Sequence, residues 1–424
     1  MNDEKALNID LRQMIMAIEK TVSLVGMNDT NHGKRVGAIA YQIAREAGCD
    51  DEDVQSAFEL GMLHDCGVST AQMHSTLVNH FDSEDAHIHC DIGYRLLRNF
   101  APLAKYAVPI LYHHTPWREL EHSGINERDV RMANLIFLAD RIDVLGVGHY
   151  ETDILLINEQ IVQSIRGYAD HYFSPQWVQA FERVQRTEAF WMALEDRYVT
   201  RLAWEMGQSQ NPQMLSLAQV KQLSMILSYV VDQKSRYTAK HSMRVADVAR
   251  SIGVLYGLSE SRCDKIEIAG LLHDLGKLNV PDDILDKPGP LTDYERSVMM
   301  RHSYETYDIL RSIEGLGEMA RWAAFHHEGV NGVGYPFHPQ EHELSIEARM
   351  IAVADVFQAL VQHRPYRKGM SQPIALALID GMADAGKLDR RLVDLVIQHA
   401  ETLYAIAKGA DPNHNQAYLN LMTA

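Results

Sequence analysis

Apolar residues recur at spacings of three and four along most of the chain, a pattern that predicts amphipathic helices. One such stripe consists of Leu217, Val220, Leu223, Leu227, Val230 and Val231. Alternating apolar and polar positions, which would indicate strands, do not form any convincing series. The sequence therefore predicts an all-α fold.

Polar and turn-forming residues mark where helices begin and where loops interrupt them. Thr292 and Glu295 have the spacing of a capping box, which predicts a helix start. Asp389 precedes an apolar helical pattern and is predicted to be its N-cap. Residues 278–290 and 329–339 are rich in glycine and proline, so both segments are predicted to be loops.

The chain is longer than a single typical core requires, with 424 residues. The stretch GQSQNPQM at 207–214 separates two helical blocks. We therefore expect two domains, an N-terminal one over residues 1–210 and a C-terminal one over residues 211–424.

One order of histidines and aspartates occurs twice in the sequence. A histidine precedes a His-Asp dyad, another histidine and a His-His doublet follow, and an Ala-Asp pair completes the set. The first set is His32, His64, Asp65, His89, His113, His114 and Asp140, and the second is His241, His273, Asp274, His302, His326, His327 and Asp355. Because the order and spacing agree, the chain is interpreted as a tandem duplication of one helical module.

These repeated residues are of the types that bind divalent metals, since imidazole nitrogen and carboxylate oxygen are common ligands. A single histidine on an apolar helix is more often a core residue. Seven such groups in apolar surroundings such as GLLHDLG would be costly to bury without partners. A shared metal centre removes that cost, and we predict one in the C-terminal half.

The composition of the chain limits which partners and which cellular compartment are expected. The net charge of −17 and the lack of a basic patch argue against a long nucleic acid as partner. A few cations can still create a pocket for a small anion. The four scattered cysteines have no CxxC spacing and suit a reducing compartment. With no signal-peptide pattern and no long apolar run, we expect a cytoplasmic protein that does not enter a membrane.

The second half resembles the HD-GYP family of cyclic-dinucleotide phosphodiesterases. The matching stretches are YTAKHSMRVA, LLHDLGKLNVPDDIL, KPGPLTDYE, HHEGVNGVGYP, ARMIAVADVFQAL and RPYR, in the family's order between residues 237 and 367. The resemblance implies tandem HD-superfamily helical bundles. It also implies a centre of two or three divalent metals, usually iron or manganese, with other divalent ions allowed.

The resemblance further implies how the ligands divide between two metals. One metal would be held by His241, His273, Asp274 and Asp355, and the other by His302, His326 and His327 together with a bridging Asp274. Some family members have a glutamate four residues before the first histidine, where it joins a third metal. Tyr237 occupies that position here, which favours two metals.

Other residues of the motif set are expected to contact the substrate. Lys277 is expected on the same helix face as the dyad, where it would act with Asp274 in catalysis by stabilising negative charge on the phosphate. By resemblance, the further substrate-binding residues are Gly334, Tyr335, Arg364 and Arg367. Arginine offers forked donors suited to phosphate or to a guanine edge. The alternative for the lysine and the arginines is ordinary surface charge.

The implied reaction is hydrolysis of cyclic di-GMP or 3′,3′-cyclic GMP-AMP to a linear dinucleotide with a 5′-phosphate. One alternative is a non-catalytic cyclic-dinucleotide sensor, against which the intact Lys277 argues. The other is a generic HD-superfamily nucleotide phosphohydrolase, against which the GYP loop and the RPYR element argue. Long amphipathic helices at the start of each module would allow a homodimer.

The first module keeps its seven ligand-type residues but departs from the family elsewhere. Val68 occupies the position of Lys277, and no GYP loop follows HHTPWREL. Three interpretations stay open for this module. It could be a degenerate domain that supports dimerisation or regulates its partner, a metal-bound nucleotide sensor, or a second enzyme of narrower specificity.

Overall fold

The computed structural model describes residues 8–25, 31–70, 86–207, 212–234, 240–363 and 368–409. These residues form helices joined by turns and loops, and among them β-structure is limited to two isolated bridges, between Asp10 and Met214 and between Ala169 and Phe173. The predicted all-α class is confirmed. None of the described helices is both long enough and apolar enough to cross a membrane.

The chain divides into two compact units. Leu11–Gln213 forms the N-terminal unit, whereas the residues from Met214 onward form the C-terminal unit together with Ile9 and Asp10. The Leu215 amide donates a hydrogen bond to the Ile9 carbonyl at 2.9 Å, which attaches the start of the chain to the C-terminal unit. The boundary expected after residue 210 lies three residues before this division.

The N-terminal unit is built around a buried helix that begins at His32. Its described helices are Leu11–Val22, His32–Glu46, Asp51–Leu63, Ala86–Arg98, Ala107–Tyr112, Trp117–Leu120, Glu127–Gly146, Ile154–Gly167, Pro175–Val184, Glu188–Met192 and Asp196–Gly207. His32–Glu46 packs against Asp51–Leu63 and Glu127–Gly146. Apolar side chains such as Ile39 and Phe137 fill the space between them and are buried.

The C-terminal unit repeats this arrangement around the helix that begins at His241. Its described helices are Leu217–Lys234, His241–Tyr256, Glu260–Leu272, Asp282–Leu285, Asp293–Leu310, Gly317–Ala324, Ile346–Val361, Gln372–Asp384, Arg390–Gln398 and Ala400–Ala407. His241–Tyr256 packs against Glu260–Leu272 and Ile346–Val361, the counterparts of the N-terminal partners. The repeat read from the sequence therefore corresponds to a repeated helix arrangement.

The predicted helix starts agree with the structure, whereas one predicted loop contains a short helix. Asp389 accepts hydrogen bonds from two backbone amides at the start of its helix, as an N-cap does. Residues 329–339 contain no helix or strand. Within 278–290, however, Asp282–Leu285 forms one helical turn directly after Pro281. The two acidic residues in that first turn favour it, because they complement the positive end of the helix.

The capping box gives a first prediction, on local stability. Thr292 accepts a hydrogen bond from the Glu295 amide, and the Glu295 carboxylate accepts one from the Thr292 amide. Thr292→Ala should lower the free energy of local opening of the helix Asp293–Leu310 by about 1 kcal/mol. Hydrogen exchange at the amides of this helix measures that change. Thr292→Ser keeps the acceptor and should be near neutral, so equal exchange in both variants would contradict the role of the cap.

Candidate functional site

Five helices of the C-terminal unit bring the seven predicted ligand residues to one region. His241 is the first residue of its helix, the His273-Asp274 dyad directly follows the helix ending at Leu272, and His326 and His327 follow the helix ending at Ala324. The other two, His302 and Asp355, lie within Asp293–Leu310 and Ile346–Val361. Five of the seven are buried, and His327 and Asp355 are partly buried.

Hydrogen bonds fix which ring nitrogen of each histidine faces the centre. In three of them Nδ1 donates to the carbonyl of the residue three positions earlier, at 2.6–2.7 Å, namely in His273, His302 and His326. In His241, Nδ1 lies 2.6 Å from the side-chain oxygen of Gln358. Because Nδ1 is the donor, Nε2 keeps a lone pair for a ligand on the other side of the ring.

The Asp274 carboxylate lies between two groups of histidines. Its Oδ2 is 3.2 Å from Nε2 of His273 and 3.6 Å from Nε2 of His241. Its Oδ1 is 3.6 Å from Nε2 of His302 and 3.8 Å from Nε2 of His326. One carboxylate therefore faces both groups, each through a different oxygen, as a bridging ligand would.

The donor atoms form two triads that suit divalent ions. The atoms of His241, His273 and Asp355 lie within 4.8 Å of one another, as do those of His302, His326 and His327. Nε2 of His273 and Oδ1 of Asp274 are buried without a hydrogen-bond partner. Buried polar atoms are rarely left in that state, and a cation would satisfy them. The residues present therefore fit two metal ions.

The electrostatic environment favours the protonation states that bind metals. Burial, with the neighbouring His327, lowers the pKa of His302 to about 3, and burial lowers that of His327 to about 4. These rings are neutral at physiological pH. Burial alone would raise the pKa of Asp274, but His273 and Lys277 hold it well below its usual range. His302 and His327 thus offer neutral imidazoles beside an ionised carboxylate. Burial alone would lower the pKa of His273, but the charge and hydrogen bond of Asp274 raise it.

Lys277 lies beside the dyad, but in a different secondary structure from the one expected. The helix ends at Leu272, and Lys277 belongs to a 3₁₀ turn, Leu275–Asn279, so the expected shared α-helix face is wrong. In a 3₁₀ turn residues three apart overlie one another. Lys277 Nζ consequently donates to Oδ2 of Asp274 at 2.5 Å while its side chain stays 21 % exposed.

The glycine after the dyad is a further position that we did not identify from the sequence. A Cβ on Gly276 would lie 2.1 Å from the carbonyl oxygen of His302, so only glycine allows the dyad turn to approach that helix. Gly67 has the same relation, also 2.1 Å, to the carbonyl of His89 in the N-terminal unit. The signal was available, because both halves carry a glycine two residues after the dyad aspartate.

The GYP loop lies against the second histidine group. The ring centroid of Tyr335 is 4.7 Å from that of His327 and 6.3 Å from that of His302. Burial, and after it the negative charge of Asp355, raises the pKa of Tyr335, so its hydroxyl stays protonated. A Cβ on Gly334 would lie 2.6 Å from the His327 carbonyl, so the close approach requires glycine.

Glu328 anchors this loop, a role that the sequence reading missed. Its buried carboxylate accepts hydrogen bonds from the amides of Phe337 at 2.6 Å and His338 at 3.2 Å. The signal for it was only its place directly after the His-His doublet. Arg364 and Arg367, expected to contact substrate, lie outside the described residues, and so does Tyr237.

The N-terminal unit contains a second centre with the same bridging carboxylate. Oδ2 of Asp65 is 3.4 Å from Nε2 of His64, and its Oδ1 is 3.4 Å from Nε2 of His89. Nε2 of His32 lies 3.4 Å from Oδ1 of Asp140. The position of Lys277 is taken by the buried Val68, so no cation is supplied from that position.

The partner of the first histidine also differs between the units. His32 Nδ1 is 2.7 Å from a carboxylate oxygen of Asp143, whereas Gln358 takes that place in the C-terminal unit. Burial alone would lower the pKa of His32. The hydrogen bond and charge of Asp143, with the charges of Asp140 and Asp65, raise that pKa instead to about 9.

Comparisons with known proteins match both units. One family model described as an HD domain matches residues 30–145, and another matches residues 221–392. The 3′3′-cGAMP-specific phosphodiesterase 1 of Vibrio cholerae serotype O1 is 33% identical over 410 residues, which cover 96% of this chain and 95% of that protein. The cyclic di-GMP phosphodiesterase response regulator RpfG of Xanthomonas campestris pv. campestris is 37% identical over 175 residues, covering 41% and 46%.

A solved structure shares the fold over nearly the whole chain. The crystal structure of a cyclic GMP-AMP-specific phosphodiesterase of V. cholerae superposes with a TM-score of 0.64 at 22% sequence identity. The match covers 96% of this chain and 99% of the other. The two-unit helical architecture is therefore common to both proteins.

Proposed function

Because this chain belongs to the HD-GYP family, we propose that its C-terminal unit hydrolyses a 3′,3′-cyclic dinucleotide, with cyclic GMP-AMP as the preferred substrate. The observation that carries the proposal is the Asp274 carboxylate, which faces two histidine groups and accepts a hydrogen bond from Lys277. A site that only bound the nucleotide would need neither the bridging carboxylate nor the cation beside it.

We propose that two divalent ions, iron or manganese, complete this site. The ligands would be His241, His273, Asp274 and Asp355 for one ion, and His302, His326, His327 and the shared Asp274 for the other. When bound, such ions activate a water molecule and withdraw charge from a phosphate. The unpartnered buried Nε2 of His273 and Oδ1 of Asp274 support this assignment.

Lys277 is the proposed catalytic cation of the chain itself. Its ammonium has three donors, and the bond to Asp274 uses one of them. The others are available to a phosphate oxygen, because the side chain is partly exposed whereas Asp274 is buried. A positive charge held at this place stabilises the negative charge that develops on the phosphate during attack.

The GYP loop is proposed to hold the substrate next to the histidines. The protonated hydroxyl of Tyr335 can donate a hydrogen bond, and its ring offers a flat face to a base. Gly334 leaves backbone room beside His327. We further propose that Arg364 and Arg367 contact the phosphate or a guanine edge, as their forked donors allow.

The proposed reaction adds one water across one phosphodiester bond. The water oxygen forms a bond to phosphorus, and the bond between phosphorus and the 3′ oxygen breaks. One proton of the water ends on the 3′ oxygen as a hydroxyl, and the phosphate stays on the 5′ side. The product is a linear dinucleotide with a 5′-phosphate, and no oxidant or second substrate is required.

The preference for cyclic GMP-AMP rests on the extent of similarity. The V. cholerae relative named for that substrate matches this chain over nearly its whole length, in both units. The relative RpfG, named for cyclic di-GMP, matches over 41% of the chain.

A competition assay tests this preference. The metal-loaded protein is incubated with equal amounts of cyclic GMP-AMP and cyclic di-GMP, and both are followed by chromatography. The ratio of their depletion rates equals the ratio of their kcat/KM values, and we expect cyclic GMP-AMP to disappear at least about tenfold faster. Faster loss of cyclic di-GMP would overturn the preference, and loss of neither would overturn the proposed function.

Gly334→Ala tests the proposed role of the loop. The added methyl would lie 2.6 Å from the His327 carbonyl and 2.7 Å from Glu328, so the loop must move. We expect kcat/KM to fall about 10- to 100-fold, with unchanged metal content by elemental analysis. Gly289→Ala is the matched control, because nothing lies within 4 Å of its Cβ. Equal kcat/KM for the two variants would show that the loop does not position substrate.

A further inference from the structure

The N-terminal unit contains a buried group of potential metal ligands that the proposed function does not use. His89, Cys90, His113 and His114 are all buried, and one ligand atom from each lies within 4.8 Å of the others. We propose that this unit binds a divalent metal of its own through these residues, and that the Cys90 thiol makes the site selective for zinc. The inference does not depend on the reaction proposed for the C-terminal unit.

The separations of the donor atoms match those of a zinc site. In tetrahedral zinc with Zn–N near 2.0–2.1 Å and Zn–S near 2.3 Å, two nitrogens lie about 3.3 Å apart and a nitrogen and a sulfur about 3.6 Å apart. His89 Nε2 is 3.2 Å from His113 Nε2. Cys90 Sγ is 3.7 Å from His89 Nε2, so both of these separations agree with a zinc site.

A carboxylate lies beside this group, and a hydrogen bond orients one of its rings. Oδ1 of Asp65 lies 3.4 Å from Nε2 of His89 and is buried without a hydrogen-bond partner. Nδ1 of His113 donates to the Ile110 carbonyl at 2.7 Å, which leaves Nε2 to face His89. The hydrogen bond to Ile110 orients the His113 ring as a second layer of contacts does in metal sites.

The thiol distinguishes this centre from its counterpart. The residue equivalent to Cys90 in the C-terminal unit is Ser303, whose hydroxyl oxygen is 3.3 Å from Nε2 of His302. An alcohol is a weak ligand, whereas a thiolate is soft and favours zinc over iron or manganese. On coordination the thiol loses its proton to solvent, so binding at this centre releases one proton from Cys90.

A pocket beside the His-Asp dyad of this unit is lined by Glu19, His32, His64 and Asp65 among others. Because Val68 replaces the lysine, we assign this centre to metal binding that stabilises the unit.

Cobalt substitution tests the thiolate directly. The metal-free protein is loaded anaerobically with Co²⁺, and the near-ultraviolet thiolate-to-cobalt charge-transfer band is recorded. We expect the band in the wild type, its bleaching by added Zn²⁺, and its loss in Cys90→Ser, which introduces the residue of the C-terminal unit. Cys49→Ser, in the same unit but outside the cluster, should keep the band.

Zinc affinity gives a second readout. Cys90→Ser should weaken zinc binding at the N-terminal centre by at least about 100-fold in competition with a chelator. If that variant does not fold, X-ray absorption of the zinc-loaded wild type replaces it, with sulfur scattering expected at about 2.3 Å. A wild-type cobalt spectrum without the band, or an unchanged band in folded Cys90→Ser, would overturn the proposal.

Discussion

Replacing Asp274 with asparagine is expected to lower the hydrolysis of cyclic GMP-AMP by about 10³-fold or more. Asparagine has nearly the same shape but no charge, and its amide nitrogen would face one of the two histidine groups. The carboxylate of Asp274 contacts both groups, since Oδ2 lies near His273 and Oδ1 near His302. The substitution therefore removes the link between the two halves of the site.

The measurement is kcat/KM together with metal content and circular dichroism, so that loss of chemistry is separated from loss of fold. Asp384→Asn is the matched control, because Asp384 is an exposed residue that pairs with Arg390 away from the site. We expect it to behave as the wild type does. If Asp65→Asn abolished hydrolysis and Asp274→Asn did not, the assignment of the reaction to the C-terminal unit would be wrong.

Replacing Lys277 with methionine is expected to lower kcat by about 10²- to 10³-fold while the metals stay bound. Methionine preserves most of the length and the apolar part of the side chain. It removes the ammonium that now lies 2.5 Å from Asp274 and that is proposed to contact the phosphate. Because the charge acts on the transition state more than on the bound substrate, kcat should change more than KM.

The Lys277→Arg variant is the comparison for this prediction. It keeps the positive charge but changes its shape and reach, so we expect activity between that of the wild type and that of Lys277→Met. Metal content should be equal in all three proteins. A full rate for Lys277→Met would support the alternative in which this lysine is ordinary surface charge.

The polar residues of the site could be found from the sequence because the chain contains the module twice. A single His-Asp dyad is weak evidence for a metal site. An ordered set of seven such residues in two copies is much stronger evidence, because chance does not readily produce it. The helices that carry them follow from apolar periodicity. In the structure the members of each set lie close to one another within their own unit. In each set the dyad aspartate faces histidines on either side.

Other parts of the site depend on tertiary contacts that periodicity does not encode. Lys277 lies in a 3₁₀ turn after the end of an α-helix, so α-helical geometry predicted its position relative to Asp274 wrongly. Gln358 and Asp143 lie more than 100 residues from the histidines they orient. Glu328 acts by holding the backbone of a loop, which has no pattern of its own. Such roles can be identified only from a structure, because they depend on contacts between segments that are distant in sequence.

The two modules also differ in single residues that lie beside the metal-ligand residues. Ser303 and Cys90 occupy equivalent positions beside the third histidine of each set, yet only one of them is a soft ligand. Lys277 and Val68 differ likewise in charge. The two centres therefore share a scaffold while their chemistry is expected to diverge, one toward hydrolysis and the other toward metal binding.

The most direct test of the account is the product formed from cyclic GMP-AMP. The full chain is purified anaerobically, loaded with iron or manganese, and incubated with the nucleotide, and the products are identified by chromatography and mass spectrometry. We expect a linear dinucleotide with one 5′-phosphate, and no product after a chelator has removed the metal. Unchanged cyclic GMP-AMP in the presence of protein with both C-terminal ions bound would contradict it.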